Sequence, residues 1–431
     1  SGTVLSSGGL EDGAGTRELP NRDVRLKTDD RSQRTDGSVA APDLHRSSFE
    51  PGAAFAWRLA LFYAALFVAL GVQLPFLPVW LAAKGLDADM IGLVLAIPMI
   101  VRVFAIPLAT RHADRHDALR LAIVIAAAGA VVGYGVVGLV QGAAAIAAAF
   151  VFASMFYTPI MPLADAYALR GLARVGRAYG PVRMWGSAAF IAGSFGAGVL
   201  LDVTAARDLI WLIVAAAVLA AAAACALQPL SPHTGGVTAA DVSSARGVWR
   251  DPAFIAVAAA ASLIQASHAV FYGFSALDWR AGGLDGTAIA ALWALGVAAE
   301  IVLFAISGRL PIAPTTLLLA GAGGAVLRWG AMAFDPPAIL LPPLQCLHAL
   351  SFGASHLGAL GFIARTIPPK LGATAQGYLA VALGLVMAAS MALAGVLYAR
   401  WGSLAYGAMA LLAVAGGVCA LAARRLASRG V

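Results

Sequence analysis

The chain has 431 residues, 61 % hydrophobic and 12 % charged, with a net charge of +7 and a mean hydropathy of +0.83. Soluble domains sit nearer half apolar and a quarter charged, so a water-soluble enzyme or scaffold is excluded as the main body. The positive residues lie in short loops between apolar blocks of roughly twenty residues, the length that crosses a bilayer, which argues against nucleic acid as a partner. A β-barrel is excluded as well, because the apolar and polar residues do not alternate in segments of about ten.

In chain order, residues 1–55 read as a disordered polar tail ("EDGAGTRELPNRDVRLKTDDRSQRTDGS") with no apolar core of a signal peptide. Apolar blocks follow at 56–83, 90–109, 119–140, 142–168, 184–202 and 207–227. The polar stretch "PLSPHTGGVTAADVSSARGVWRDP" marks a linker over 228–251. Six further blocks lie near 253–277, 286–308, 314–334, 338–364, 372–396 and 403–423, before a short tail at 424–431. The expected architecture is an all-α polytopic membrane protein of twelve transmembrane helices, divided into six-helix bundles over 56–227 and 252–423.

Orientation follows from the loop arginines. Alternate loops carry Arg111 and Arg115, then Arg170, Arg174 and Arg177, then Arg246 and Arg250, then Arg309, Arg365 and Lys370, and finally Arg424, Arg425 and Arg429. The opposite loops hold little beyond Lys84, Arg207, Arg280 and Arg400. Both termini and the linker are therefore expected in the cytoplasm. Lysine is confined to Lys27, Lys84 and Lys370 beside abundant Arg and Ala, the mark of a GC-rich bacterial genome, so the expected location is the bacterial inner membrane. Cys225, Cys346 and Cys419 are isolated in apolar blocks without metal or redox spacing, and read as packing residues.

The two halves share a repeat. "GLDADMIGLVLAIPMIVRV" begins at Gly85 and "GLDGTAIAALWALGVAAEI" at Gly283; Arg102 and Glu300 each stand 17 residues past their glycine. At about 1.5 Å per residue both charges lie roughly 20 Å into their spans, beyond the midplane. Arg102 is long enough to snorkel to the interface, whereas Glu300 is too short. Parallel repeats with a site at their interface are a known transporter plan.

Intramembrane polar residues mark pathways. Gln265, His268 and Tyr272 stand at i, i+3 and i+7 of the seventh span, which places all three on one helical face. Gln345 and His356 are eleven residues apart and share a face of the tenth span, with His348 slightly off it. Histidine carries protons near neutrality and binds carboxylates; with no Cys or carboxylate at helical ligand spacing from these histidines, no metal is expected. Arg328 is a second intramembrane cation whose planar fork suits a carboxylate, with a partnership to Glu300 or to the polar residues of the seventh span as the alternative. Asp165 and Arg183 flank one short loop and are expected to pair across it as an inner lock.

From about 57 to 425 the chain resembles the major facilitator superfamily, and within it the phenylpropionate permease branch, related to the lactose permease and nucleoside–proton symporter groups. The likeness is carried by "FLPVWL" (76–81), "PLADA" (162–166), "YGPVRMWGSAAFIAGS" (179–194), "QASHAVFYGFSALDW" (265–279), "LWALGVAAE" (292–300) and "LRWG" (327–330). The resemblance implies a proton-coupled importer of a small organic acid such as 3-phenylpropionate, with no enzyme activity. A nucleoside or oligosaccharide symporter is the alternative; drug efflux and a non-transport sensor fit less well. The superfamily's loop between spans 2 and 3 runs Gly-x-x-x-Asp-Arg-x-Gly-Arg-Arg. Here "TRHADRHDAL" (110–119) keeps Asp114 and Arg115 as gating candidates, but has Thr110 and Asp117 at the glycine positions. Glu300 is the expected proton-coupling acid, and Arg102, Gln265, His268, Tyr272, Arg328, Gln345, His348 and His356 are the expected substrate contacts. No organic cofactor is signalled beyond the coupling proton, and the expected partners are the bilayer and a small-molecule substrate, with the protein monomeric.

Overall fold

The computed structural model describes residues 51–230, 248–307, 309, 312–368 and 371–428. Of the polar tail expected over 1–55, residues 1–50 lie outside the described residues, as do 231–247 of the linker with Arg246, and also Lys370 and Arg429.

Among the described residues all regular structure is helical. The first half holds α1 (Pro51–Ala83), α2 (Ala88–Arg115), α3 (Leu119–Leu139), α4 (Ala143–Tyr157), α5 (Ile160–Arg174), α6 (Tyr179–Val203) and α7 (Leu209–Cys225). The second holds α8 (Pro252–Ala266), α9 (Ala269–Ala281), α10 (Gly286–Ser307), α11 (Pro314–Met332), α12 (Leu341–Cys346), α13 (Ser355–Thr366), α14 (Gly372–Trp401) and α15 (Ala405–Ala427). Among the described residues ten stretches are long and apolar enough to cross a membrane. One of them, Thr374–Ala427, takes in most of α14 and all of α15; α11, which carries Arg328, is not among the ten.

Three spans are broken where the sequence supplies a reason. Between α4 and α5 stands Thr158-Pro159, with the Thr158 hydroxyl donating to the Ser154 carbonyl at 2.9 Å. Between α8 and α9, the Ser267 hydroxyl donates to the Ile264 carbonyl at 2.6 Å and itself accepts from Trp329 Nε1 at 2.9 Å. The third break separates α12 from α13, where Ala349–Ala354 forms a π-helix. Irregular backbone at membrane depth is tolerated where protein covers it, and π-turns concentrate at functional sites.

The sequence repeat is a structural one. Gly85 and Gly283 both adopt left-handed backbone, at φ +86° and +91°. Leu86 N donates to Leu81 O at 3.2 Å and Leu284 N to Trp279 O at 2.9 Å, closing each helix in the same way. The aspartates two residues after each glycine then cap the next helix, Asp87 accepting from Met90 N at 2.9 Å and Asp285 from Ala288 N at 2.7 Å. One recipe, Gly-Leu-Asp, turns the corner twice.

The corners share the sparsely charged face of the bundle, and there the two halves touch. Asp202, at the end of α6, accepts from Gly286 N at 2.6 Å, and from Thr287 N and Oγ1 at 3.1 and 2.9 Å. It thereby caps the first turn of α10 across the two halves. A β-carbon on Gly198 would stand 2.4 Å from the Gly286 carbonyl oxygen, so backbone lies against backbone. Beside the first corner, Gly92 of α2 is packed closely against Gly395 of α14, whose own β-carbon would meet the Ala88 and Asp89 carbonyls.

Candidate functional site

Arg328 is the centre of a buried polar cluster in the second half. Its guanidinium lies over the Phe271 and Trp329 rings, 4.4 and 4.5 Å from their centroids. It donates to Gln345 Oε1, to His348 Nδ1 at 3.1 Å and to Ser351 Oγ at 3.5 Å. Because arginine has only donors to offer, His348 Nδ1 must be the unprotonated nitrogen. Nε2 of His348, which then carries the proton, lies 3.5 Å from Glu300 Oε2. The same logic fixes His268. Its Nδ1–H donates to the Gln265 carbonyl at 3.0 Å, and its Nε2 accepts from Ser351 Oγ at 3.0 Å. Two donor chains therefore radiate from Arg328, one ending on Glu300 and one on the backbone of span 7.

A cavity of about 40 Å³ opens beside this cluster, lined by Phe271, Tyr272, Trp293, Arg328, Gln345 and His348 of the second half. Leu74 of α1 and Phe190 of α6 close it from the first half. The volume suits a water molecule or two, or the head of a ligand, and not an aromatic body.

The sequence-predicted residues divide. Arg328, Gln345, His348, His268, Tyr272 and Glu300 come together; Tyr272 stacks on His268 with ring centroids 5.5 Å apart. Gln265 contributes its carbonyl. Arg102 stands apart, packed beside Gly384 of α14 with its Nη1 4.0 Å from Met99 Sδ.

Gln345 and His356, expected on one face, have a π-helix between them and meet different neighbours. Gln345 meets Arg328, whereas His356 stacks on Phe352 at 6.0 Å, whose other side stacks on His348 at 5.2 Å. His356 still lies near enough to Glu300 to act on its charge, as does Arg183 from the first half.

The expected Asp165–Arg183 pair is replaced by another arrangement. Asp165 accepts from Tyr63 at 2.6 Å and from Tyr179 at 2.8 Å. Arg183 lies over Phe67, 4.0 Å from the ring centroid, and over Tyr63 at 5.4 Å. Phenol donors satisfy the carboxylate and leave the guanidinium to aromatic faces. Asp114 and Arg115 are exposed at the end of α2. The loop there is held by Asp117, which takes the left-handed conformation at φ +46° and pairs with Arg170 at 2.8 Å.

Sequence reasoning missed Ser351, Asp202 and Asp117. Ser351 lies three residues after His348, inside "HALSFGASH", where a polar residue in an apolar run was a usable signal. Asp117 stands where the superfamily places glycine, and asparagine or aspartate is the usual substitute at positive φ. Nothing in the sequence connects Asp202 with Gly286.

Residues 56–407 match the model of the MFS_1 like family. A protein named as a probable 3-phenylpropionic acid transporter of Escherichia coli (strain K12) is 32 % identical over 370 residues, covering 83 % of this chain and 94 % of that protein. A maltose permease of Geobacillus stearothermophilus is 32 % identical over 371 residues, covering 81 % and 91 %. A solved structure of the nucleoside transporter NupG shares the fold, with a TM-score of 0.71 at 16 % identity over 86 % of this chain and 98 % of that one. The chain belongs to the MFS_1 like family: it is a multi-pass membrane protein of the major facilitator superfamily, a transporter and not an enzyme.

Proposed function

We propose that the protein imports a small aromatic carboxylate together with a proton, by alternating access of two six-helix halves in a bacterial inner membrane, with twelve crossings and both termini in the cytoplasm. The observation that carries this reading is the chain Arg328–His348–Glu300 beside a cavity between the halves. Its logic is charge balance. With Glu300 ionised, the site holds one cation and one anion. Protonating Glu300 leaves Arg328 as an uncompensated buried cation, which is expensive in a low-dielectric setting, and a carboxylate entering the cavity restores neutrality. Releasing the proton on the other side returns an internal anion that competes with the substrate for Arg328. One proton accompanies one carboxylate, and no organic cofactor takes part; the protein works as a monomer.

The relative named for 3-phenylpropionic acid supports an aromatic acid, and the cavity beside Arg328 has room for its carboxylate head. Sugar symport is the second reading, favoured by the maltose permease match. Liposomes containing purified protein separate the two. An inward proton gradient is expected to drive accumulation of labelled 3-phenylpropionate, and a membrane potential imposed without a pH gradient is expected to have little effect, because the loaded site is neutral. Accumulation of maltose, and none of the acid, would overturn the proposal.

A further inference from the structure

Three buried N–H donors around the cavity have no hydrogen-bond partner: Trp293 Nε1, Arg328 Nε and Gln345 Nε2. Their residues are 4 %, 1 % and 0 % exposed, and all three line the same cavity. A buried donor without a partner costs about 1–3 kcal/mol, and three at one place require an explanation. Packing accounts for the rings and not for the N–H groups. Trp293 stacks on Phe271 at 4.5 Å, which holds the indole flat and leaves its nitrogen unpaired.

Two acceptors at the cavity are already engaged: Gln345 Oε1 and His348 Nδ1 both receive Arg328. With the Tyr272 hydroxyl able to give or to accept, the wall offers more donors than acceptors. A sugar or nucleoside brings several hydroxyl protons as well as lone pairs, more than that wall takes up. A carboxylate brings lone pairs alone, with four acceptor sites on two oxygens.

We infer that Trp293 is a specificity-determining residue: its indole N–H, with Gln345 Nε2 and Arg328 Nε, forms an anchor for the carboxylate head of the substrate. This rests on the transport reading above and adds a residue that reads the head group instead of the ring. Gly296, one turn along α10 from Trp293, also lines the cavity; a β-carbon there would stand 3.3 Å from His348 Cβ and 3.4 Å from the Gln345 carbonyl, so the bare backbone lets α10 lie close to the residues that bond Arg328.

The test uses the full-length protein in liposomes with 3-phenylpropionate as substrate and 3-phenylpropionamide as competitor. Trp293→Phe keeps the aromatic packing on Phe271 and removes one N–H. The expected result is a roughly tenfold rise in KM with the maximal rate maintained, and a loss of the wild-type preference for the acid over the amide. Gln345→Glu keeps the side-chain shape while replacing donors by an acceptor, and is expected to abolish binding of the acid. A purely structural role for Trp293 would lower thermal stability while leaving the acid-to-amide ratio at its wild-type value, and that outcome would overturn the inference with transport intact. If the wild-type protein takes up no carboxylate at all, the transport reading fails first and this assignment with it.

Discussion

Glu300 and Arg328 are joined through His348, whose two ring nitrogens face one partner each. The acid therefore stands beside a neutral imidazole, with no guanidinium in ion-pair contact among the described residues, and its proton can come and go without breaking an arginine ion pair. Replacing it tests this directly. Glu300→Gln keeps the shape and is permanently neutral, so uphill accumulation is expected to disappear while exchange of labelled for unlabelled substrate continues. Intact accumulation by this variant would remove Glu300 from the coupling step.

Arg328→Lys is expected to fail where a merely cationic requirement would be met. The guanidinium bonds Gln345, His348 and Ser351 at once, and an ammonium reproduces neither the fork nor the stacking on Phe271 and Trp329. Losing charged hydrogen bonds of about 1.5–3 kcal/mol each predicts affinity for 3-phenylpropionate reduced by at least about tenfold, measurable by equilibrium binding in detergent. Near wild-type binding would show that charge alone suffices.

The close approach of Gly198 to Gly286 predicts a trap. Gly198→Leu puts a side chain where the Gly286 carbonyl stands, so the halves are prevented from closing on that face. Transport is expected to stop. A cysteine at Ala290, introduced after removing Cys225, Cys346 and Cys419, is expected to react faster with a membrane-impermeant thiol reagent in this variant. Unchanged reactivity would mean that the contact yields without opening the bundle.

Asp202→Ala acts on the same contact more gently. Removing the cap on α10 takes away three hydrogen bonds, with a typical cap worth about 0.5–2 kcal/mol. The equilibrium should shift several-fold toward opening on the sparsely charged face, with transport slowed instead of abolished. The Ala290 cysteine assay reads this as an intermediate rate.

At Asp117 the backbone lies at φ +46°. Asp117→Gly relieves the backbone and forfeits the Arg170 contact, a partly exposed pair of the kind worth about 0.2–1 kcal/mol. The two effects offset, so thermal stability in detergent should change little. Asp117→Val forfeits the same contact and adds about 1–2 kcal/mol of left-handed strain, so it should unfold at a clearly lower temperature.

Much of this molecule was legible in its residues. The spans follow from hydropathy because lipid requires every backbone group to be paired within a helix. The duplicated corner was visible because Gly-Leu-Asp encodes a left-handed stop and a cap in three adjacent residues. Arg328, His348 and Glu300 stood out because charge is rare in such surroundings. What escaped depends on distance in sequence or on irregular backbone. Asp202 finds its partners 84 and 85 residues away, and no local pattern announces that. Counting ordinary helical turns places Gln345 and His356 on one face, and nothing local in the sequence announces the π-helix between them. Pairing Asp165 with an arginine follows from charge alone, whereas two tyrosines, one of them 102 residues upstream, supply its bonds.

The wide turn at Ala349–Ala354 has a consequence for how this span can change. It accommodates a surplus residue, so deleting one amino acid there would restore ordinary winding while the helix on either side keeps its orientation. His356 would stay beside Glu300, and Ser351, which lies inside the turn, would be the side chain re-aimed away from Arg328 and His268. A single-codon deletion would thus cut the serine link between those two groups and spare the histidine near the acid.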